Sequence, residues 1–199
     1  MPADIKWLGH ASFRLSDGKV KVYIDPYQIA KPEQADLVLI THCHYDHCSP
    51  DDVKKLIGPN TLVVSPANCA EKFAGLTLKH KAIAPGQEFE AAGLKIRTVP
   101  AYNLNKQFHP KANNWVGYIV TIGGEKVYHA GDTDAIPEMK GLEVDVALLP
   151  VGGTYTMTVE EAAAAFRQMK AKRAVPMHYG TVAGKKEDGE RFLKLVSKK

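Results

Sequence analysis

Short apolar runs alternate with polar or helix-forming segments along the whole chain. Val20-Lys21-Val22-Tyr23-Ile24 alternates at period two behind an Asp17-Gly18 turn signal, which predicts a hairpin strand. Leu37-Val38-Leu39-Ile40 is unbroken and reads as a buried strand. Ser49-Pro50-Asp51-Asp52 opens a helix, with a capping serine, proline in the first position and acids in the first turn. That helix is expected to end at Gly58-Pro59. Thr61 to Ser65 and Leu94 to Val99 read as strands, and Val116 to Ile122 with Lys126 to His129 flank Gly123-Gly124 as a hairpin. Val144 to Val151 is another buried run. Thr158-Val159-Glu160-Glu161 is a capping box opening an Ala-rich helix that runs to about Lys170. Ala174 to Met177 predicts a last short strand, and Gly189 to Val196 a final helix. Early hairpin strands followed by strand–helix alternation predict an α/β fold. Two mixed sheets packed face to face, with helices outside, would satisfy it as a single domain over residues 1–199.

Composition narrows this picture without redirecting it. A hydrophobic content of 45% is ordinary for a globular domain, and no apolar run is long enough to span a bilayer. The opening Met-Pro-Ala-Asp-Ile-Lys-Trp lacks the basic and apolar regions of a signal peptide, so a cytoplasmic location is expected. Cys43, Cys48 and Cys69 form no CxxC pair and are expected as free thiols in a reducing compartment. Cys48 beside His47 is a candidate metal ligand, with a small buried residue as the plainer reading. The net charge of +4 is mild, and the lysines near the end (Lys194, Lys198 and Lys199) suit a solvated surface. No dense basic stripe with interleaved aromatics marks a nucleic-acid binder.

Chemistry concentrates where the apolar run of residues 37–40 stops. Thr41-His42-Cys43-His44-Tyr45-Asp46-His47 places three histidines and an aspartate within six positions, a ligand set for zinc and its borderline neighbours. His42 and His44 are two apart and project to one side of an extended backbone, so they can share an ion. Asp46 and His47 are adjacent and converge only if the chain has already turned, toward a second ion beside the first. Other strand ends repeat the theme. Asp132 follows the run Lys126 to His129 at a glycine turn, His178 follows Ala174 to Met177, and Pro100-Ala101-Tyr102-Asn103 follows Leu94 to Val99, with His109 six residues on. If these ends converge, His42, His44 and one more group would hold one metal. Asp46, His47 and His178 would hold a second, with Asp132 bridging. Taken singly, Asp132 is compatible with a turn residue and His178 with a core histidine.

These residues are similar to a known family. The run Thr41 to His47 matches the HxHxDH signature of the metallo-β-lactamase superfamily. The segments Gly131-Asp132-Thr133-Asp134 and Pro176-Met177-His178-Tyr179-Gly180 match its bridging-aspartate and final-histidine motifs in the right order. Trp7-Leu8-Gly9-His10-Ala11-Ser12-Phe13 and the Leu148 to Met157 segment resemble its small cytoplasmic branch of metal-dependent hydrolases, the ascorbate-6-phosphate lactonase-like proteins among them. The resemblance covers nearly the whole chain and implies the αββα sandwich, with the site at one edge between the sheets. It departs at one point. Asn103 stands where relatives place the third histidine of the first metal, and His109 is expected to fill that place.

The resemblance implies a hydrolase that uses hydroxide generated at two divalent ions, zinc most of all, with manganese, iron or nickel as alternatives. A bound ion lowers the pKa of water from about 15.7 to about 7. Asp46 would be the catalytic residue, ligating the second metal and orienting the nucleophile; no G-x-S-x-G elbow offers a serine instead. His10 and Thr41 are candidates to fix imidazole tautomers, and Asn103, Lys106 and Tyr179 to touch substrate. For Lys106 and Lys111 a solvated loop is the plainer reading. The expected partner is a small-molecule substrate (a small ester, lactone or phosphorylated metabolite). No membrane or nucleic acid is expected, and a homo-oligomer is left open. Two rival readings are a phosphodiesterase or nuclease of the same superfamily and a non-catalytic metal-containing binding or sensor module.

Overall fold

Each half of the chain builds one six-stranded sheet, and in both the strands stand side by side in chain order. In the first sheet these are β1 (Asp4–Gly9), β2 (Ser12–Ser16), β3 (Lys21–Ile24), β4 (Leu37–Leu39), β5 (Leu62–Pro66) and β6 (Lys79–Ile83), with α1 (Pro50–Leu56) between β4 and β5 in sequence. The second holds β7 (Glu88–Ala91), β8 (Leu94–Pro100), β9 (Val116–Ile122), β10 (Glu125–His129), β11 (Glu143–Pro150) and β12 (Lys170–Met177). Helix α2 (Val159–Gln168) joins β11 to β12, and α3 (Asp188–Val196) follows. This computed structural model describes residues 1–197; Lys198 and Lys199 lie outside the described residues.

Both sheets are mixed. β1, β2 and β3 pair antiparallel and β3 to β6 parallel; β7 to β10 pair antiparallel and β10 to β12 parallel. Tight turns suffice for the hairpins, whereas parallel neighbours need the longer crossovers that carry α1 and α2. Period-two alternation then sorts the side chains of the first sheet. Val22, Ile24, Leu37, Leu39 and Val64 join a large core shared with Tyr118, Val120, Ile122 and Val127 of the second sheet. Tyr23, Val38, Ile40 and Val63 point the other way, to Val53 and Leu56 of α1. Burial on both faces is why residues 37–40 are apolar without a break. The large core continues to Ala162 and Phe166 of α2 and Phe192 of α3.

The expected sandwich is therefore the one found, with differences of detail. β12 begins at Lys170 rather than Ala174, because parallel pairing of Glu143 to Lys170 and Val146 to Arg173 extends the ladder through polar residues. Helix α2 correspondingly stops at Gln168. The capping box is formed, with Thr158 Oγ1 accepting from Glu161 N at 3.2 Å and Glu161 Oε2 from Thr158 N at 2.8 Å. Thr158→Ala is expected to cost about 1 kcal/mol, read as a lower urea midpoint with unchanged slope; a midpoint equal to the parent's would remove the cap from the account.

The expectation of three free thiols is corrected: Cys43 and Cys69 are joined as a disulfide, and Cys48 alone is free. The reason is topological. Parallel pairing of β4 with β5 brings the segments just beyond their ends together, across 26 positions of sequence. Cys48 takes the plainer of its two readings, buried in the core beneath α1. Burial pushes its thiol up to about 12. No helix among the described residues is long and apolar enough to cross a membrane.

Candidate metal centre

Strand ends from both sheets meet at one edge, and backbone hydrogen bonds sew them together. Val116 N, entering β9, donates to Thr41 O at 3.1 Å, and His178 N, leaving β12, donates to His10 O at 2.9 Å. Beyond β4 the chain curls at once: His44 O accepts from His47 N at 3.1 Å and Cys48 N at 2.8 Å. That turn carries Asp46 and His47 round to the side already faced by His42.

Three groups of ligating atoms result among the described residues, one of them Asp25 with His42 and His47 behind the centre and two facing the cleft. His42, His44 and His109 form the first, and His10, Asp46, His47 and His178 the second; within each, one such atom per residue lies within 4.8 Å of the others. In the first, His42 Nε2 is 3.1 Å from His44 Nδ1, and Trp115 backs both rings at 5.0 Å. His109 arrives from the loop after β8, its ring 5.1 Å from that of His42 and 4.9 Å from that of His44. Asn103 is not aimed at this group. Its amide donates to Tyr155 O at 3.0 Å and Asp134 Oδ1 at 3.2 Å, so its Oδ1 faces His109. That oxygen accepts from His109 N at 2.9 Å and from His109 Nδ1 at 3.1 Å, leaving His109 Nε2 bare.

In the second group, His10 Nε2 lies 2.8 Å from Asp46 Oδ2, and His178 Nε2 lies 4.0 Å from it. Asp132 stands between the groups. Its Oδ2 is 2.9 Å from His178 Nε2, 3.3 Å from His109 Nε2 and 3.9 Å from His42 Nε2, and its Oδ1 is 3.4 Å from His47 Nε2.

A buried carboxylate at the end of β3 holds the arrangement from behind. Asp25 accepts from Thr41 N at 2.7 Å, Thr41 Oγ1 at 2.6 Å and His47 Nδ1 at 2.8 Å. Since the Thr41 hydroxyl donates to Asp25, it accepts from His42 Nδ1 at 2.9 Å. Asp25 thus fixes the tautomers of two imidazoles and leaves both Nε2 atoms turned inward. The backbone is strained here as well. His10, Asp25 and His178 have φ of 49°, 46° and 57°, a left-handed conformation costing each about 1 kcal/mol or more.

The electrostatics follow from burial set against partners. Burial pushes the Asp46 carboxyl up, but the His10 hydrogen bond and the His47 charge outweigh it and bring it to about 2. Burial pushes the His47 imidazole down, yet Asp132 and Asp25 outweigh it and raise it well above its ordinary value. Asp132 lies well below the carboxylate range despite its burial, held there by His178 and His47. Burial and neighbouring imidazoles push His42 well below its ordinary value and His44 below it.

Inward-facing atoms face one another at ion-pair distance without completing hydrogen bonds. His47 Nε2, His109 Nε2 and Asp132 Oδ1 are buried without a hydrogen bond, an arrangement that folding penalises unless something else completes it. Imidazole nitrogens and carboxylate oxygens at these separations suit divalent zinc and its neighbours. The donor set fits a metal.

The seven residues expected at the metals, His42, His44, Asp46, His47, His109, Asp132 and His178, are all brought together. The three expected at the substrate do not line the cavity over the centre and have partners within the protein. Asn103 holds His109, Lys106 Nζ is paired to Asp134 Oδ1 at 2.5 Å, and the Tyr179 ring stacks on Trp7 at 5.2 Å. A cavity of about 230 Å³ opens over the centre, floored by the site residues and walled by Tyr45, Phe108, Tyr155 and Val182. Sequence reading missed Asp25, Phe108 and Tyr155. Asp25 was detectable, since it follows an alternating strand directly. Phe108 and Tyr155 lie in loops whose path no pattern encodes.

Comparison with known proteins bears on the family and the fold. A family model described as a beta-lactamase superfamily domain matches residues 4–178. A UPF0173 metal-dependent hydrolase of Pyrococcus abyssi is 38% identical over 212 residues, covering 98% of this chain and 92% of the relative. A UPF0173 metal-dependent hydrolase of Thermus thermophilus is 33% identical over 211 residues, with the same coverage of 98% and 92%. Among solved structures, a Parabacteroides distasonis protein taken for a metal-dependent hydrolase superposes with a TM-score of 0.84 at 34% identity, over 98% of this chain and 90% of that one. A metallo hydrolase from Ignicoccus hospitalis gives a TM-score of 0.77 at 26% identity, over 98% and 91%.

Proposed function

The chain belongs to the β-lactamase superfamily and to its metal-dependent hydrolases, and from that premise we propose that it hydrolyses a small ester or lactone with two divalent ions, zinc foremost. His42, His44 and His109 would hold one ion and Asp46, His47 and His178 the other, with Asp132 shared. The observation that carries this reading is the position of Asp132, one carboxylate facing imidazoles of both groups.

When bound, such ions supply Lewis acidity, which favours deprotonation of water at neutral pH and stabilises oxyanion charge. The chain's own residues do the positioning. His10 holds the Asp46 carboxylate in place, so that this carboxylate would accept a hydrogen bond from an attacking water and aim it. Thr41 and Asp25 lock His42 and His47, so no reorganisation is needed as charge develops. Tyr45, Phe108 and Tyr155 limit water around the reacting group.

The test is elemental analysis of the purified protein alongside a panel of chromogenic esters, lactones and phosphodiesters. About two ions per chain are expected. Ester or lactone hydrolysis should fall to background on chelation and return with added zinc or manganese. Full metal content with no turnover would favour a binding role, and phosphodiester cleavage alone would favour a nuclease.

A further inference from the structure

The walls of the cleft say more about the substrate than its floor does. Tyr45 and Phe108 are 65% and 40% exposed, two of the few large apolar side chains that the described residues show to solvent. Both line the cavity, with Tyr155 and Val182. The rings are organised: Phe108 meets Tyr155 edge-on at 4.8 Å and 88°, and Tyr45 meets Tyr27 at 6.0 Å and 76°. Exposed aromatic surface rimming a polar floor is what a ring or compact apolar group covers favourably.

Positive charge is what this lining lacks. No lysine or arginine contributes to it. The two lysines in the loop that carries Phe108 are committed to carboxylates, Lys106 to Asp134 at 2.5 Å and Lys111 to Glu138 at 3.2 Å. Lys185 and Lys186, on the segment that carries Val182, are exposed and stand outside the lining. A phosphate remote from the reacting bond would lose hydration on entering and find no bidentate or cationic partner. A nucleic-acid strand would meet aromatic rings without the basic groove that normally accompanies them.

Resting on the hydrolase reading above, we propose that the preferred substrate is an uncharged ester or lactone whose aromatic or compact apolar portion packs against Tyr45, Phe108 and Tyr155, in preference to a phosphorylated metabolite. Phe108 is the main specificity determinant. It presents exposed ring surface at the mouth, and its edge-on contact also places the Tyr155 ring.

The probes are dihydrocoumarin, γ-butyrolactone and 6-phosphogluconolactone, assayed on the metal-loaded protein. Dihydrocoumarin is expected to lead both others in kcat/KM by about tenfold or more beyond its faster hydrolysis by free hydroxide as an aryl ester, the scale on which apolar pockets discriminate. In Phe108→Ala the dihydrocoumarin to γ-butyrolactone ratio should fall about tenfold from the parent's, and Phe108→Leu should restore part of it. The ratio is taken within one preparation, so partial unfolding or metal loss cancels. A lead for the phosphorylated lactone, or a ratio unchanged in Phe108→Ala, overturns this proposal and leaves the hydrolase reading standing. Absence of turnover on every probe with two ions bound overturns both.

Discussion

Asp132→Ala is expected to cut hydrolysis by about 10³-fold or more, equivalent to roughly 4 kcal/mol of transition-state stabilisation, and to lower the bound metal from two ions per chain to one or none. The size of the effect follows from position. Most ligating side chains here face one group, but the Asp132 carboxylate reaches the His178 and His47 nitrogens on one side and those of His109 and His42 on the other. Removing it leaves Asp46, which reaches only His47 and His178 of these four imidazoles, as the remaining carboxylate of the cleft, so two cations held there would repel each other with no carboxylate between them. Asp132→Asn separates charge from shape: it keeps the volume and should lose nearly as much. Far-ultraviolet circular dichroism should show both variants folded. Two ions retained by Asp132→Ala, with activity within about threefold of the parent, would dismiss the shared-ligand role; the threefold margin is about 0.6 kcal/mol.

The second large effect is on stability. Asp25→Ala is expected to cost about 3–5 kcal/mol, the range for stripping one partner from a buried charged network. The carboxylate is fully buried and accepts three hydrogen bonds, from Thr41 N, Thr41 Oγ1 and His47 Nδ1. Alanine strands all three donors in the core and leaves His47 with one fewer counter-charge. For a chain of this size the loss corresponds to a fall in melting temperature of about 6–20 °C. Melting with a chelator present separates the network from any metal it would hold. A shift smaller than that of Thr158→Ala would show that water or rearrangement replaces the lost acceptor.

What the sequence made legible divides along physical lines. Strands buried on both faces, such as residues 37–40, announce themselves because every position must be apolar. Helices with explicit caps, at Ser49 and Thr158, do so because the backbone demands those side chains. β1, β6 and β7 stayed hidden because they are outer strands or lie largely in solvent, where Lys79-His80-Lys81 is as acceptable as any apolar alternation. Ser12 to Ser16 does alternate, and its burial follows that alternation only in part because Ser12 turns inward to Asp25 O. At the site, ligands were legible because their chemistry is rare in apolar surroundings. Asn103 shows where that logic stops. Its type and place suggested a substrate contact or a lost ligand, whereas its amide is spent aligning His109, a role visible only once the loop from 103 to 109 closes on itself. The disulfide was hidden for a like reason, since it depends on which strands become neighbours.

The seam between the sheets has an evolutionary side. His42, His44, Asp46 and His47 belong to the first half of the chain and His109, Asp132 and His178 to the second, and the two halves are stitched at Thr41–Val116 and His10–His178. Neither half owns a complete set, so the loops that rim the cleft can lengthen, shorten or exchange residues while both halves keep their register. A slip of a ligand-bearing strand by a single residue within its sheet would turn that strand's side chains to the opposite face, away from their partners. A change at the rim of such a scaffold therefore disturbs fewer ligands than a change in the contact plane beneath.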